Sequence, residues 1–159
     1  MVSKSSRVDV LLVCSAGGHL LQLVLLAEAW KGYRRAWVTL EREDARSLLT
    51  GETVFYAHWP TTRNIPNLLR NLRLAVRLVR TLRPKVVVST GAGVAVPFAW
   101  IGRLFGARVV YIESLTRVEA PSLSCRLIRP VTSRMYVQWP ELARALPRAR
   151  YVGNVVGRR

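Results

Sequence analysis

The chain has 159 residues, 50% of them hydrophobic, with 25 lysines and arginines against 9 acidic residues and a formal net charge of +16. This hydrophobic content excludes a disordered tail, and two cysteines without a CxxC pair are too few for a disulfide framework or a zinc site. The positive charge predicts a polyanionic partner, which by sign alone is a nucleic acid, anionic lipid headgroups or phosphates on a substrate.

The first predicted element is a strand at 8–13, and the residues before it have neither the apolar region nor the cleavage site of a signal peptide. Further strands are predicted at 35–40, 53–56, 85–89, 108–112, 135–138 and 150–152. Helices are predicted at 19–30, 65–82, 94–105, 122–128 and 140–146, and a charged loop or short helix at 41–49. No stretch reaches the ~18 uncharged apolar residues of a spanning helix, so the chain is expected to be cytosolic and globular.

The alternation of strands and helices with short connections predicts an α/β fold. The expected architecture is a Rossmann-like parallel sheet with right-handed crossovers and helices on both faces, and residues 1–159 are predicted to form a single domain. In such a sheet, ligands bind beyond the carboxyl ends of the strands. Three segments of unusual composition fall there: CSAGGH at 14–19, STGAG at 89–93 and ESLTR at 113–117.

The first two segments are glycine turns, and each is typical of a phosphate cradle. Gly17 and Gly18 precede a predicted helix whose first amides point outward, and Gly91 and Gly93 repeat the arrangement at another strand end. The alternative is a tight strand-to-helix turn that binds nothing. Neither segment fits a Walker loop or the GxGxxG spacing, so a nicotinamide enzyme is disfavoured, and no cofactor or metal is predicted.

Two side chains in these segments are candidates for proton transfer. His19 lies in the first turn of a predicted helix, where the positive end of the macrodipole favours the neutral imidazole that a general base near pH 7 requires; a capping or packing role is the alternative. Glu113 directly follows a buried strand, and its carboxylate is predicted either to take the proton of an acceptor hydroxyl or to accept backbone amides in the next turn. His58 has no companion and is interpreted as a structural or surface residue.

The predicted helix at 65–82 begins after Asn64 as N-cap, ends before Pro84 and is amphipathic. Its core face is predicted to consist of Ile65, Leu68, Leu69, Leu72, Ala75, Val76 and Val79. Its outer face is predicted to carry Arg70, Arg73, Arg77 and Arg80 within an arc of about 80°, with Leu74 and Leu78 beside them. Leucines flanked by arginines are typical of an interface with anionic lipid, and the alternative is a basic face covered by another subunit. Further candidate interfacial anchors are Trp59, Trp100 and Trp139.

Three longer segments carry a family resemblance: SAGGHLLQ, STGAGVAVPF and YIESLTRVEAPSLSCRLIRPVTSRMYVQWPEL. They resemble the acceptor-side subunit of the eukaryotic two-subunit N-acetylglucosaminyltransferase that works on dolichol diphosphate, a family with bacterial relatives in exopolysaccharide and capsule synthesis. More distantly, the chain is similar to the N-terminal domain of the peptidoglycan lipid II synthase, a GT-B glycosyltransferase. The resemblance covers residues 8–156.

The resemblance implies a subunit that binds a polyprenyl-diphosphate-linked acceptor at the cytoplasmic face of the cell membrane, while a partner subunit supplies the UDP-sugar site. It implies catalytic roles for His19 and, second, Glu113. The residues assigned to the acceptor or its phosphates are Ser15, Gly17, Gly18, Thr90, Gly91, Gly93, Ser114 and Arg117. Arg117 has the alternative of pairing with Glu113 or Glu119. Peripheral membrane attachment would rest on the helix at 65–82 and the apolar segment at 94–105.

The same resemblance predicts a chain that is inactive or nearly so without its partner, because it ends where a full GT-B enzyme continues into its nucleotide-binding domain. Two other functions stay open. The first is a non-catalytic membrane scaffold that recruits and activates a catalytic partner. The second is a basic nucleic-acid-binding domain, which fits the charge but lacks a recognised binding motif.

Overall fold

All strands of the computed structural model, which describes residues 7–157, belong to one parallel sheet. The strands are β1 (Val10–Cys14), β2 (Arg35–Leu40), β3 (Val54–Ala57), β4 (Val86–Gly91), β5 (Arg108–Ile112), β6 (Arg134–Val137) and β7 (Ala149–Tyr151). The α-helices are α1 (Gly18–Leu25), α2 (Glu43–Leu48), α3 (Ile65–Leu82), α4 (Ala95–Leu104), α5 (Leu123–Ile128) and α6 (Pro140–Ala145). The signal-peptide prediction concerns residues 1–6, which lie outside the described residues.

The strand order is β3-β2-β1-β4-β5-β6-β7, and neighbouring strands are parallel throughout. The chain first adds strands on one side of β1 and then crosses to add β4 on the other side. The order therefore reverses between β1 and β4, and in open parallel sheets the crevice at such a switch point is where ligands bind. At the carboxyl ends of this pair the register shifts, so that Cys14 lies opposite Gly91.

Alternating side chains of the central strands bury against helices on both faces of the sheet, as the period of two requires. Leu11 and Val13 of β1 point into the cluster that α3 and α4 cover. Leu12 and Cys14 point into the opposite cluster, which α1 covers. A third cluster joins β5 and β6 to α4, α5 and α6. The predicted α/β architecture with helices on both faces is confirmed.

Several predicted boundaries agree with the structure, and one predicted helix is shorter. The bounds of β2, α3 and β5 are those predicted, and Asn64 caps α3 by accepting the Asn67 amide at 2.9 Å. The single helix predicted at 19–30 is wrong, because α1 ends at Leu25 and a 3-10 helix follows at Ala27–Ala29. Within residues 7–157, no helix is both long and apolar enough to cross a bilayer.

The prediction of which face of α3 is buried is wrong in part for both the outer face and the core face. Leu74 and Leu78 were expected on the outer face but are only 8% and 4% exposed, in the core against the sheet. The buried face also contains Asn71, whose amide side chain accepts from the His58 backbone at 2.8 Å and donates back to it at 2.9 Å. Because this asparagine satisfies a loop backbone, it is buried where the pattern predicts a polar outer face. Four side chains that were predicted to face the core are exposed instead, because α3 packs on the sheet through the face of Leu74, Leu78 and Leu82: Ile65, Leu68, Leu69 and Leu72.

Candidate functional site

The turns that follow β1 and β4 are joined by a reciprocal pair of hydrogen bonds. His19, in the first turn of α1, lies 2.8 Å through its Nδ1 from the carbonyl oxygen of Thr90. The Thr90 hydroxyl donates to the carbonyl oxygen of His19 at 2.7 Å. Two predicted site residues that are 71 positions apart are therefore fixed against each other at the switch point of the sheet.

The contact with Thr90 also determines the tautomer of His19. A carbonyl oxygen only accepts hydrogen bonds, so Nδ1 must carry the proton of the neutral imidazole. The second ring nitrogen, Nε2, then presents a lone pair, and it makes no hydrogen bond to any residue between 7 and 157. A half-buried imidazole with one nitrogen anchored and the other available has the arrangement of a general base.

Gly91 is the point at which the β4 turn is most crowded. Its φ is +111°, and a Cβ there would lie 2.9 Å from the Tyr111 hydroxyl and 3.4 Å from Cε1 of His19. Only glycine combines this backbone conformation with so close an approach. Gly91 therefore lets the β4 turn pack between His19 and the end of β5.

The turn before α1 is open by comparison. A Cβ at Gly17 or Gly18 would meet no atom within 4 Å, so there is space for a ligand above this turn. The Gly17 amide donates to the carboxylate of Asp44 at 2.5 Å, a contact across 27 residues that sequence reasoning missed. An internal carboxylate thus takes the amide at which a phosphate was predicted, and a phosphate bound there would replace it.

Glu113 directly follows β5 at the carboxyl edge of the sheet, and it is 0% exposed. Its oxygens accept the Ser114 amide at 2.8 Å, the Ser122 amide at 2.8 Å and the Ser122 hydroxyl at 2.9 Å. The Tyr111 hydroxyl donates to it at 3.2 Å. The sequence left two roles open for Glu113: taking the proton of an acceptor hydroxyl, or accepting backbone amides in the next turn. The observed hydrogen bonds fit the second role.

The buried charge of Glu113 also acts on its neighbours. Burial, followed by the Glu113 charge, raises the pKa of the Tyr111 hydroxyl above its ordinary value. The same two causes raise the pKa of the Cys125 thiol to about 12. Burial likewise raises the pKa of the Cys14 thiol to about 12. Neither thiol is therefore a thiolate near neutral pH, and cysteine nucleophile chemistry does not fit this site.

The loop after β5 presents Arg117 to solvent. Ser114 is buried, and its hydroxyl lies 3.0 Å from that of Thr116. The Arg117 amide donates to the Ser114 carbonyl at 3.0 Å, which closes the turn. Within the described part of the chain, no carboxylate forms a salt bridge with Arg117, so the predicted alternative of pairing with Glu113 or Glu119 is not observed.

Two glutamines that the sequence did not single out connect these loops. Gln22 of α1 accepts the Leu115 amide at 2.8 Å, and Gln138 donates to Gln22 at 2.7 Å. Trp139 donates through its indole nitrogen to the Leu115 carbonyl at 2.6 Å. An isolated polar residue in the apolar helix HLLQLVLL was the available sequence signal for Gln22.

The exposed face of α3 carries apolar and basic side chains together. Ile65 and Leu69 are 70% and 51% exposed. The predicted arginines Arg70, Arg73, Arg77 and Arg80 are all exposed. Trp59, in the loop before α3, is also exposed, and the Arg42 guanidinium lies 5.8 Å from its ring centroid. We call this set the α3 surface: Trp59, Ile65, Leu68, Leu69, Leu72 and the four arginines.

A cavity of about 640 Å³ lies elsewhere, at the amino ends of β6 and β7. Four arginines line it: Arg129, Arg134, Arg148 and Arg150. Because parallel strands have their amino and carboxyl ends at opposite edges of the sheet, this cavity is separate from the glycine turns. It contains none of the predicted site residues.

Solved structures with this fold include glycosyltransferases. MurG from Acinetobacter baumannii superimposes with a TM-score of 0.74 and 16% identity, over 94% of this chain and 47% of that chain. UDP-GlcNAc 2-epimerase from Neisseria meningitidis superimposes with a TM-score of 0.71 and 11% identity, over 92% of this chain and 47% of that one. These similarities confirm the predicted fold, a Rossmann-like parallel sheet of the kind that forms one half of a GT-B glycosyltransferase.

The family is decided by a sequence match. The family model described as "Oligosaccharide biosynthesis protein Alg14 like" matches residues 56–155. The chain belongs to this Alg14-like family. The matched region contains the β4 turn, the 113–117 loop and the buried glutamine that follows β6, so the predicted family is confirmed.

Curated relatives of the Alg14-like chain are named as UDP-N-acetylglucosamine transferase subunits. The Debaryomyces hansenii protein is 32% identical over 117 residues, 70% of this chain and 48% of the relative. The Yarrowia lipolytica protein is 38% identical over 89 residues, 52% of this chain and 41% of the relative. The human protein is 26% identical over 188 aligned positions, 98% of this chain and 86% of the relative. The matches to the two yeast relatives thus span less than half of their length.

Proposed function

We propose that this Alg14-like chain is the acceptor-binding subunit of a two-subunit glycosyltransferase. The enzyme would move a sugar from a UDP-sugar to a polyprenyl-diphosphate-linked acceptor, for lipid-linked oligosaccharide or polysaccharide synthesis. The observation that carries the proposal is the meeting of His19 with the β4 turn at the switch point of this fold. UDP-N-acetylglucosamine is the first donor to test, because the relatives are named for it.

His19 is the proposed general base. Its Nδ1 proton is held by the Thr90 carbonyl, so Nε2 accepts the proton of the acceptor hydroxyl. As that proton moves to His19, the hydroxyl oxygen forms a bond to the anomeric carbon of the donor sugar. The bond between this carbon and the UDP phosphate breaks, and its electron pair leaves on UDP.

The acceptor diphosphate is assigned to the open space above Gly17 and Gly18 and to Arg117. The Arg117 guanidinium is exposed and forms no salt bridge with any residue from 7 to 157, so it is suited to bidentate contact with phosphate. Ser15 lies at the edge of the same turn and is half-buried. The remaining predicted contacts, Thr90, Gly91, Gly93 and Ser114, are assigned to shaping the loops, since Thr90 and Ser114 are buried.

Glu113 is reassigned from second candidate base to a residue that holds the 113–117 loop. A carboxylate that is 0% exposed and accepts hydrogen bonds from two amides and two hydroxyls has no free oxygen for an acceptor hydroxyl. Its contribution to transfer is the position of Ser114 and Arg117. Removing its charge should therefore act on stability first and on transfer only as a consequence.

Membrane contact is assigned to the α3 surface, on the cytoplasmic face of the cell membrane. Exposed leucines and isoleucine at the start of α3 can enter the interfacial region, while arginines along the helix meet anionic headgroups. Leu74 and Leu78 are excluded from this contact by their burial. Peripheral attachment by this surface fits a substrate whose lipid tail stays in the bilayer.

The experiment that tests the function uses this chain and its partner subunit separately and then mixed. Each sample receives UDP-N-acetylglucosamine and a polyprenyl-diphosphate-linked monosaccharide in anionic vesicles. We expect product from the mixture alone. Product from the partner alone at the rate of the mixture would reduce this chain to a membrane scaffold, and product from neither with any UDP-sugar would contradict the proposal. Salt-sensitive binding of duplex or single-stranded nucleic acid at micromolar affinity would instead favour a basic nucleic-acid-binding domain.

A further inference from the structure

Two buried glutamines from distant parts of the chain contact each other beneath the candidate site. Gln22 lies on α1, and Gln138 lies between β6 and α6, 116 positions later. Gln138 is 2% exposed, and its Nε2 donates to Oε1 of Gln22 at 2.7 Å. Buried amides this far from water are stable only when their polar atoms are paired.

Four backbone groups determine which way each amide points. The Leu115 N–H donates to Gln22 Oε1 at 2.8 Å, and the Gly18 carbonyl accepts from Gln22 Nε2 at 3.1 Å. The Val155 N–H donates to Gln138 Oε1 at 3.0 Å, and the Glu113 carbonyl accepts from Gln138 Nε2 at 3.0 Å. Because backbone N–H groups only donate and carbonyls only accept, neither amide can be turned over.

The pair connects three segments of the chain: α1, the 113–117 loop and the turn that follows β6. Gln22 is on the helix that carries His19, and it holds the amide of Leu115, two residues before Arg117. Trp139, adjacent to Gln138, holds the carbonyl of the same Leu115 at 2.6 Å. Both backbone groups of Leu115 are therefore fixed by side chains from other elements.

Gln138 also connects the loop to the end of the described chain. Beyond β7, between residues 152 and 157, its contact with Val155 is the one hydrogen bond that the described structure shows from this segment to the rest of the fold. The exposed side chains of Val152 and Val156 flank it. The Gln138 side-chain amide therefore connects residues 152–157 to the 113–117 loop, which carries Arg117.

We propose that Gln22 and Gln138 are positioning residues, which set the distance between His19 and the 113–117 loop and fix the segment after β7 to both. The effect of this glutamine pair on transfer rests on the proposed function, whereas the hydrogen bonds that define the pair do not depend on it. The chemistry at the two positions differs. Position 22 must accept two hydrogen bonds, which a carboxylate also does, whereas position 138 must donate two, which a carboxylate cannot do.

The two glutamate variants therefore have opposite expected outcomes. Gln22→Glu keeps both bonds from Leu115 and Gln138, and it replaces the local bond to the Gly18 carbonyl with one contact between two acceptor oxygens. Gln138→Glu places a carboxylate against two acceptor oxygens and against the buried Glu113 segment. Protonation restores one donor, and burial favours the protonated form, so the defect of Gln138→Glu should shrink as pH falls.

Amide hydrogen exchange tests the pair without partner or acceptor. Leu115 and Val155 amides are followed by NMR in the wild type, Gln22→Glu, Gln22→Met and Gln138→Glu, with Val88 in the centre of β4 as the reference. We expect Gln22→Met to speed exchange at Leu115 by roughly tenfold relative to Val88, and Gln22→Glu to stay near wild type. Gln138→Glu should lose protection at both amides at pH 8 and regain it at pH 5.

Three results would overturn the proposal: equal exchange in Gln22→Glu and Gln22→Met, a change in Leu115 exchange that only follows Val88, or a Gln138→Glu variant that matches wild type at pH 8.

A second measurement concerns transfer. In the mixed enzyme, Gln138→Glu should raise the KM for the acceptor by about tenfold and leave the KM for the UDP-sugar unchanged, with Gln22→Glu as the matched control. Altered exchange together with no transfer from the wild-type mixture would contradict the proposed function and leave the positioning pair standing.

Discussion

His19 and Thr90 hold each other by two hydrogen bonds that run in opposite directions. The imidazole donates to the Thr90 carbonyl at 2.8 Å, and the Thr90 hydroxyl donates to the His19 carbonyl at 2.7 Å. The first bond fixes the tautomer of the ring, and the second fixes the helix turn from which the ring extends. A residue proposed as a base is thereby oriented by the strand on the other side of the switch point.

Thr90→Val should lower both stability and transfer. Valine fills the same volume, but the His19 carbonyl loses its donor in a buried place, which we expect to cost about 1–2 kcal/mol in the free energy of unfolding. Transfer should fall further than the folded fraction, because the helix turn from which the His19 ring extends is no longer fixed by the Thr90 hydroxyl. Urea unfolding and steady-state kinetics of the mixed enzyme measure the two effects.

A matched control for that variant is present in the same sheet. Thr39 is also fully buried, but among residues 7–157 its hydroxyl has no nitrogen or oxygen hydrogen-bond partner, and the polar group beside it is the Cys14 thiol. Thr39→Val removes an unsatisfied polar group, so it should leave stability unchanged or raise it by about 1 kcal/mol. A Thr90→Val variant as stable and active as Thr39→Val would contradict the role given to the Thr90 hydroxyl.

Gly91→Ala should disturb the site through the Tyr111 hydroxyl. The new methyl group would lie 2.9 Å from that oxygen, and the φ of +111° adds strain for any residue with a Cβ. We expect a loss of about 1–3 kcal/mol in the free energy of unfolding. Adding Tyr111→Phe removes the clash but not the backbone strain, so the double variant should recover part of the lost stability. If the double variant loses as much free energy of unfolding as the two single variants added together, the contact with the Tyr111 hydroxyl is not the cause.

The α3 surface predicts binding to anionic vesicles. Replacing Ile65 and Leu69 together with glutamine should weaken sedimentation with phosphatidylglycerol vesicles by about tenfold, because their apolar side chains no longer enter the interface. Arg73→Gln should weaken it less and make it less sensitive to salt. Leu123→Gln is the control, since Leu123 is as exposed as Ile65 but lies on α5. An equal loss of vesicle binding in Leu123→Gln would contradict a specific role for the α3 surface, because it would show that any exposed apolar side chain contributes.

The Asp9 carboxylate, just before β1, should make the free energy of unfolding depend on pH in acid. Hydrogen bonds from Lys85 and Arg34 lower the pKa of this carboxyl to about 2. The folded pKa lies below the ordinary value of 3.8, so the stabilisation is complete above about pH 4 and is lost as pH falls toward 2. Urea unfolding between pH 7 and 2.5 should therefore show a smaller pH dependence in Asp9→Asn than in the wild type, with exposed Glu28→Gln unchanged. Identical curves for Asp9→Asn and the wild type would contradict this assignment.

Local signals were sufficient to predict much of the fold. Asn64 as a cap and Pro84 as a stop gave the bounds of α3, and apolar runs between turns gave β2 and β5, because these features act within a few residues. The order of strands and helices also predicted that the two glycine turns lie at the same edge of the sheet, where His19 and Thr90 meet.

The errors and omissions involve contacts between distant residues. Leu74 was assigned to the outer face because it lies beside the arc of arginines on α3. The structure buries Leu74 on the same side as Asn71, which binds the backbone of the loop at His58. The contact between Gln22 and Gln138 was missed because the two residues are 116 positions apart, although Gln22 stands out as a single polar residue in an apolar helix. The Asp44 carboxylate at the Gly17 amide is a third case.

The most direct test of the account is transfer by the mixed enzyme when His19 is replaced by alanine. His58→Ala is the control, because His58 is the other histidine of the chain and is exposed in a loop. We predict that His19→Ala lowers turnover by about 10²–10⁴-fold with the fold intact, as loss of a general base does, and that His58→Ala stays near wild type. Turnover by His19→Ala within a few-fold of the wild type would contradict the claim that this chain supplies the base.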